Sequence, residues 1–184
     1  MGKRVLIILA DGFEEIEAIT PIDVLRRAGV EVAVAGLSGK MVTGAHGIHF
    51  QADLALDDYK DLPDAIILPG GLPGAQNLGE SKKVTELVKK MNSQNKVVGA
   101  ICAAPALVLA QTGILDGKRA TCYPGFEKKF PSSITFSSDR VVVDGNIITS
   151  RGPGSAFEFA LELVEQLVGK GKAETLKEGM LVRG

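Results

Sequence analysis

Apolar residues in this chain gather into short runs at 5–10, 32–35, 65–68 and 97–101, with further runs at 141–143 and 147–148. Runs that are apolar at nearly every position, rather than at alternate ones, predict strands covered on both faces. Between them, apolar positions recur at helical spacing over 16–28, 82–91, 104–110 and 157–168, and Gly29, Gly113 and Gly169 stand just past three of these segments. Glycine there is a common helix stop. Strands alternating with helices of this length predict an α/β fold: a mostly parallel central sheet inside a three-layer sandwich, because right-handed crossovers place helices on both faces. The stretch 41–51, with two glycines and alternating character, predicts a small excursion or hairpin. Residues 141–148 around Asp144-Gly145 predict a hairpin at a sheet edge, since that dipeptide readily adopts positive φ. After Gly169 the chain is Lys-rich and weakly patterned, which leaves a short helix or partial disorder open.

A length of 184 residues suits one domain, 1–184, built on one core. The formal charge of −1 supplies no long-range field for nucleic acid or an anionic membrane, so partners of those kinds are not expected. No apolar run reaches membrane-spanning length and the opening residues are too short for a signal peptide, which gives a cytoplasmic expectation. The two cysteines, Cys102 and Cys122, fall in different segments and form no disulfide framework, in keeping with a reducing compartment.

The same counts restrict the chemistry. Only His46 and His49 are present, so a mechanism needing a histidine downstream of Cys102 is excluded within one chain. Neither histidine has a cysteine or carboxylate at ligand spacing, so no metal site is expected. No cofactor is expected either. Around Gly71 and Gly74 a dinucleotide fingerprint would need glycine where Pro69 stands, and no phosphate-binding loop of the G-x-x-x-x-G-K-[ST] form occurs.

In parallel α/β sheets ligands bind beyond the carboxyl ends of the strands. The run 97–101 ends in Cys102, followed by Ala103, Ala104 and Pro105, which predicts a sharp strand-to-helix elbow flanked by small residues. A sulfur beside a helix N-terminus is expected to hold its thiolate form more easily, and the thiolate is the reactive form. Cys122, after Ala120-Thr121, reads instead as a small hydrophobe within a strand. The glycines of Leu68-Pro69-Gly70-Gly71 would let backbone amides approach a reacting oxygen, and Gly71 with Ala103 forms a candidate oxyanion hole. After the first strand, Glu14 and Glu17 each share a helical stripe with apolar residues. A buried carboxyl on such a stripe would be protonated more easily than usual, and wheel geometry does not choose between the two.

The segments KRVLIILADGFEEIEAITPIDVLRRAG, VAGLSGK, ILPGGLPGAQNL, AICAAPALVLA and TSRGPGSAFEFALELVEQL occur in this order across nearly the whole chain. Together they resemble the ThiJ/PfpI superfamily, and within it the DJ-one branch of the parkinsonism-associated deglycase and its bacterial relatives. The resemblance implies a flavodoxin-like sandwich, usually homodimeric, with a nucleophile-elbow cysteine at Cys102 and a protonated glutamic acid at Glu17. It implies oxyanion contacts from the amides of Gly71 and Ala103, and a pocket reaching His46, Tyr123 and Pro153, partly closed by a dimer mate. Two departures stand out: Ala103 occupies the position where peptidase-like branches carry histidine, and Tyr123 stands where some relatives carry a pocket histidine. Close relatives often have arginine at the place of His46.

The activity implied is cofactor-free conversion of small reactive carbonyls, of glyoxalase or deglycase type, on a 2-oxoaldehyde such as methylglyoxal or on a glycated adduct. A stress protein of redox-sensing or chaperone-like kind, acting through oxidation of Cys102, is the alternative. A cysteine peptidase is disfavoured by Ala103.

Overall fold

The structure, a computed structural model, describes residues 2–182. The chain begins β1 (Arg4–Leu9), α1 (Glu15–Arg27) and β2 (Glu31–Gly36), then makes a hairpin of β3 (Met41–Thr43) and β4 (His49–Gln51). It continues through β5 (Leu54–Ala55), β6 (Ala65–Leu68), α2 (Gly74–Glu80), α3 (Lys82–Ser93) and β7 (Val97–Ile101). A π-helical turn (Pro105–Leu109) leads to β8 (Arg119–Ala120), β9 (Thr135–Phe136), β10 (Val141–Asp144), β11 (Ile147–Ser150), α4 (Ala156–Leu167) and α5 (Lys170–Gly179). None of the helices among the described residues is long and apolar enough to cross a membrane.

Seven strands form the central sheet in the order β10-β11-β7-β6-β1-β2-β5, and only β10 runs antiparallel to its neighbour. The expected three-layer α/β sandwich is therefore present. Helices α1, α4 and α5 pack together on one side, and α2, α3 and the turn after β7 on the other. The central runs are apolar throughout because both faces are covered: every residue of β6 is buried, as is every residue of β1 beyond Arg4. The hairpin at 141–148 lies at the sheet edge as its sequence predicts, with Gly145 at φ +63.

Three features differ from the pattern-based expectation. Residues 104–110 form no regular α-helix: a π-helical turn, with the Ala110 amide donating to the Pro105 carbonyl, passes into a 3-10 turn at Ala110–Thr112. Helix α2 and the edge strand β5 lack a periodic signal, because each is too short to show one. Cys122 lies beyond β8 rather than within a strand. The Thr121 amide donates to the Thr149 hydroxyl oxygen (3.0 Å) instead of joining a ladder, and the Tyr123 amide turns to the Cys102 carbonyl (2.8 Å). The tail left open by its pattern is ordered as α5.

Helix α4 holds its place on the sheet through Phe159 and Leu163, both fully buried. Replacing Phe159 by Ala is expected to lower the unfolding free energy by about 3–5 kcal/mol, whereas Glu165→Ala, on the exposed face, should change it by less than about 0.5 kcal/mol. Urea denaturation of the two variants checks this.

Candidate active site

The carboxyl ends of β1, β6, β7 and β11 bring four loops together, and each contributes to one site. At the end of β7 the chain reverses on Cys102, whose φ is +64. A residue with a Cβ held in that left-handed region costs about 1–3 kcal/mol. Two backbone bonds hold it there: the Cys102 amide donates to the Ser150 carbonyl (2.9 Å), and the Cys102 carbonyl accepts from the Tyr123 amide (2.8 Å). Ala103 and Ala104 are buried directly behind it, where larger side chains would collide with the core.

Glu17, in the first turn of α1, is fully buried. Its Oε2 accepts a hydrogen bond from the Gly70 amide (2.9 Å), while Oε1 has no partner. Burial disfavours the charged form and pushes the carboxyl up to about 7, against the opposing pulls of the Cys102 thiol and then the Gly70 amide. Gly70 lies between the carboxyl and the thiol: a Cβ at this position would stand 2.6 Å from Glu17 Oε2 and 2.9 Å from Cys102 Sγ. Glycine is what lets the two groups share this space. The next residue, Gly71, has φ +85, and a Cβ there would fall 2.4 Å from the Glu14 amide nitrogen.

Glu14 and Glu17, which helical spacing does not separate, differ in their partners. Glu14 caps α1, with Oε1 accepting from the Ile16 amide (3.3 Å). Its own amide donates to the Gly70 carbonyl (3.0 Å), which ties the start of α1 to the loop after β6.

The electrostatics of Cys102 differ from the sequence expectation. Burial raises the thiol pKa first and most, and the negative charge of Glu17 raises it further; the backbone amides of Gly71 and Ala103 pull it the other way. The segment after the elbow is a short π-helical turn, so the source of favourable potential is these two local amides rather than a helix macrodipole. Cys122 has no such amides. Burial and then the charge of Glu127 push its thiol up to about 12.

His46 does not touch Cys102. Its Nδ1 lies 2.8 Å from Glu15 Oε2 and 3.3 Å from Glu14 Oε2, and its amide donates to Glu15 Oε1 (2.8 Å). The Glu15 bond, then the charges of Glu14 and Glu15, raise the imidazole pKa. This corrects the premise that no carboxylate converges on a histidine: Glu14, Glu15 and His46 offer ligand atoms within 4.8 Å of one another. The chain separation of 31 residues between Glu15 and His46 hides the cluster in the sequence. It is made by the bond from the Ala45 amide to the Phe13 carbonyl (2.8 Å), which lays the hairpin loop on the start of α1. His49 turns away and pairs with Thr43 Oγ1 (3.1 Å). Tyr123 and Pro153 line a cavity of about 260 Å³ beside the elbow. Gly70 and Ser150 are site residues that motif reasoning passed over. Only their places, beside Gly71 and at the end of a strand, could have marked them.

A pH signature follows from Glu17. Its folded value of about 7 lies above the ordinary 4.5, so the folded state binds the proton more tightly than the unfolded chain. The resulting stability is complete below about pH 4.5 and is lost as pH rises through 7, about 3 kcal/mol in all. Urea unfolding of the parent and Glu17→Gln at pH 4.5 and pH 8 should show the parent losing this amount relative to the variant. A pH-independent difference would remove Glu17 from its assigned state.

Comparison with known proteins gives the family. The chain is 46% identical over 183 residues to Protein DJ-1 homolog B of Arabidopsis thaliana, matching 98% of this chain and 42% of that protein, so it spans under half that relative's length. It is 42% identical over 177 residues to the Glutathione-independent glyoxalase DJR-1.2 of Caenorhabditis elegans, covering 95% of this chain and 94% of the other. The crystal structure of Drosophila melanogaster DJ-1beta superposes with a TM-score of 0.93 at 43% identity, over 100% of both chains. Residues 3–166 match the model of the DJ-1/PfpI family, and with these likenesses along nearly its whole length the chain belongs to that family.

Proposed function

We propose that this protein converts 2-oxoaldehydes such as methylglyoxal to 2-hydroxy acids without a cofactor, with Cys102 as nucleophile and Glu17 as proton carrier. The observation that carries this reading is the buried Glu17 carboxyl, with one oxygen bound to Gly70 and the other unpartnered, packed beside a thiol that two amides face. A name borne by one relative, glutathione-independent glyoxalase, points the same way.

In this scheme Cys102 and Glu17 together carry one negative charge. Because Oε2 is engaged as an acceptor, the proton rides on Oε1, and the charge rests on sulfur under the Gly71 and Ala103 amides. The thiolate forms a bond to the aldehyde carbon, and the carbonyl oxygen takes the Glu17 proton, giving a hemithioacetal. Glu17, now a carboxylate, removes the hydrogen on that carbon as a proton. The C–H electrons form a carbon–carbon double bond, and charge moves to the neighbouring oxygen, where the amides stabilise it. Glu17 returns its proton to the second carbon while the hydroxyl proton of the first passes to the second oxygen. This leaves a lactoyl thioester on Cys102. Water cleaves it to lactate, with one proton released, and restores the starting pair.

The pocket's open side is covered, in this proposal, by a second copy of the chain. Ile16 (53% exposed) and Ile19 on α1, with Met41 (64%) and Ile48 (58%) on and beside the β3–β4 hairpin, leave apolar surface exposed around His46. Such a patch is more often an interface than free surface. Sedimentation of the parent should give a dimer and that of Ile16→Glu/Ile48→Asp a monomer; a monomeric parent would exclude the arrangement.

Methylglyoxal loss and lactate formation, measured together at neutral pH, test the chemistry. Cys102→Ala is expected to abolish turnover while remaining folded, and Glu17→Gln to lower kcat by about 10²–10⁴. Glu14→Gln should change it by less than about threefold, as expected of a helix cap whose carboxyl faces the Ile16 amide and His46 rather than the sulfur. Parent-like turnover in a folded Cys102→Ala protein would overturn the assignment.

A further inference from the structure

Arg151 is the first residue beyond β11. Ser150 pairs in register with Ile101 and takes the Cys102 amide on its carbonyl (2.9 Å), so Arg151 leaves the sheet about one strand spacing, roughly 5 Å, from the elbow. There it lines the cavity of about 260 Å³ together with Tyr123, Arg140, Gly152 and Pro153. The cavity adjoins the reacting groups at Gly152. A Cβ on this glycine would stand 3.1 Å from the Tyr123 ring and 3.9 Å from Glu17 Oε1, the unpartnered oxygen. That oxygen is out of reach of solvent, and with no side chain at 152 only the glycine backbone lies between it and the cavity.

The charges on the cavity wall do not cancel. Arg140 is held by Glu158, with Nε 2.8 Å from Oε1, and also reaches the Gly154 carbonyl. Arg151 donates from Nη1 to the Ser138 carbonyl (3.0 Å), and among the described residues no carboxylate lies within 4.0 Å of its guanidinium. A guanidinium has five N–H donors in a planar fork matched to a carboxylate. A surplus cation with free donors, on the wall of an open recess beside the elbow, selects for an anion attached to the substrate.

We propose that Arg151 is a specificity-determining residue: it receives the carboxylate of a 2-oxoaldehyde whose acid group lies a few carbons from the reacting carbonyl. This rests on the reading of Cys102 given under Proposed function and adds the class of substrate the site prefers. Tyr123 supplies the apolar wall for the intervening carbons, and Gly152, lacking a side chain, keeps that wall close to Glu17.

Two measurements test it, and they fail separately. The first is alkylation of Cys102 by iodoacetate and by iodoacetamide, in which an S–C bond forms and iodide leaves; peptide mass spectrometry separates Cys102 from Cys122. The two reagents differ mainly in the anionic group. The iodoacetate-to-iodoacetamide rate ratio at Cys102 is expected to fall about tenfold in Arg151→Gln, the scale of one charge-assisted contact, and to be largely kept in Arg151→Lys. An unchanged ratio in Arg151→Gln overturns the proposal, as does failure of both reagents to reach Cys102. The second is kcat/KM for 4,5-dioxopentanoate relative to its methyl ester. The parent should prefer the acid and Arg151→Gln should lose that preference; equal ratios in the two proteins overturn the proposal. If the parent consumes no 2-oxoaldehyde at all, the carbonyl-converting reading falls, and the alkylation ratio still decides whether Arg151 receives an anion.

Discussion

The site depends on the burial of one carboxyl group. Glu17 lies beneath the surface with a single amide bound to one of its oxygens and nothing bound to the other. Removing a carboxylate from water is costly, and here the proton offsets that cost by neutralising the group up to about pH 7. A carboxyl that is neutral but ready to ionise can both donate and accept a proton. The same group in solvent at neutral pH would remain ionised; Glu14, buried close by, is instead engaged as a helix cap on the Ile16 amide.

Holding a thiol against this carboxyl requires backbone where side chains would not fit. Gly70 has its amide on Glu17 and its missing Cβ beside Cys102, so a single residue sets both the hydrogen bond and the spacing. On the other side, Cys102 keeps a left-handed backbone conformation that an L residue avoids. It is retained because its amide and carbonyl are both committed, to Ser150 and Tyr123. The strain lies at the seam between β7 and β11, strands buried in a sheet whose packing energy far exceeds it.

The potential at the sulfur is set by its immediate neighbours and, with Glu17 ionised, disfavours the thiolate. Burial and the Glu17 charge oppose the thiolate, and two amides favour it. With the proton on Glu17 Oε1 the carboxylate charge no longer opposes the thiolate and the amides stay in place, so thiol and carboxyl act as one unit. Nearby, His46 is engaged with Glu15 and Glu14, which fixes the hairpin loop and partly neutralises two buried carboxylates at the rim.

The sequence by itself determined the α/β class, the parallel strand runs, the elbow at Cys102 and the glycines facing it. All of these are written locally, in apolar periodicity and in small residues at strand ends. Family resemblance selected Glu17 over Glu14, where helical spacing alone could not. Tertiary structure decided which carboxyl oxygen stays free and which amides govern the sulfur, because these depend on loops from strands far apart in sequence. The Glu14–Glu15–His46 cluster was hidden for the same reason: contacts across 31 residues leave no local pattern. The turn after Cys102 reads as an ordinary helix from its spacing and folds as a π-helical turn. Periodicity records which side chains are buried, and the elbow and the packing around it set which carbonyl each amide reaches.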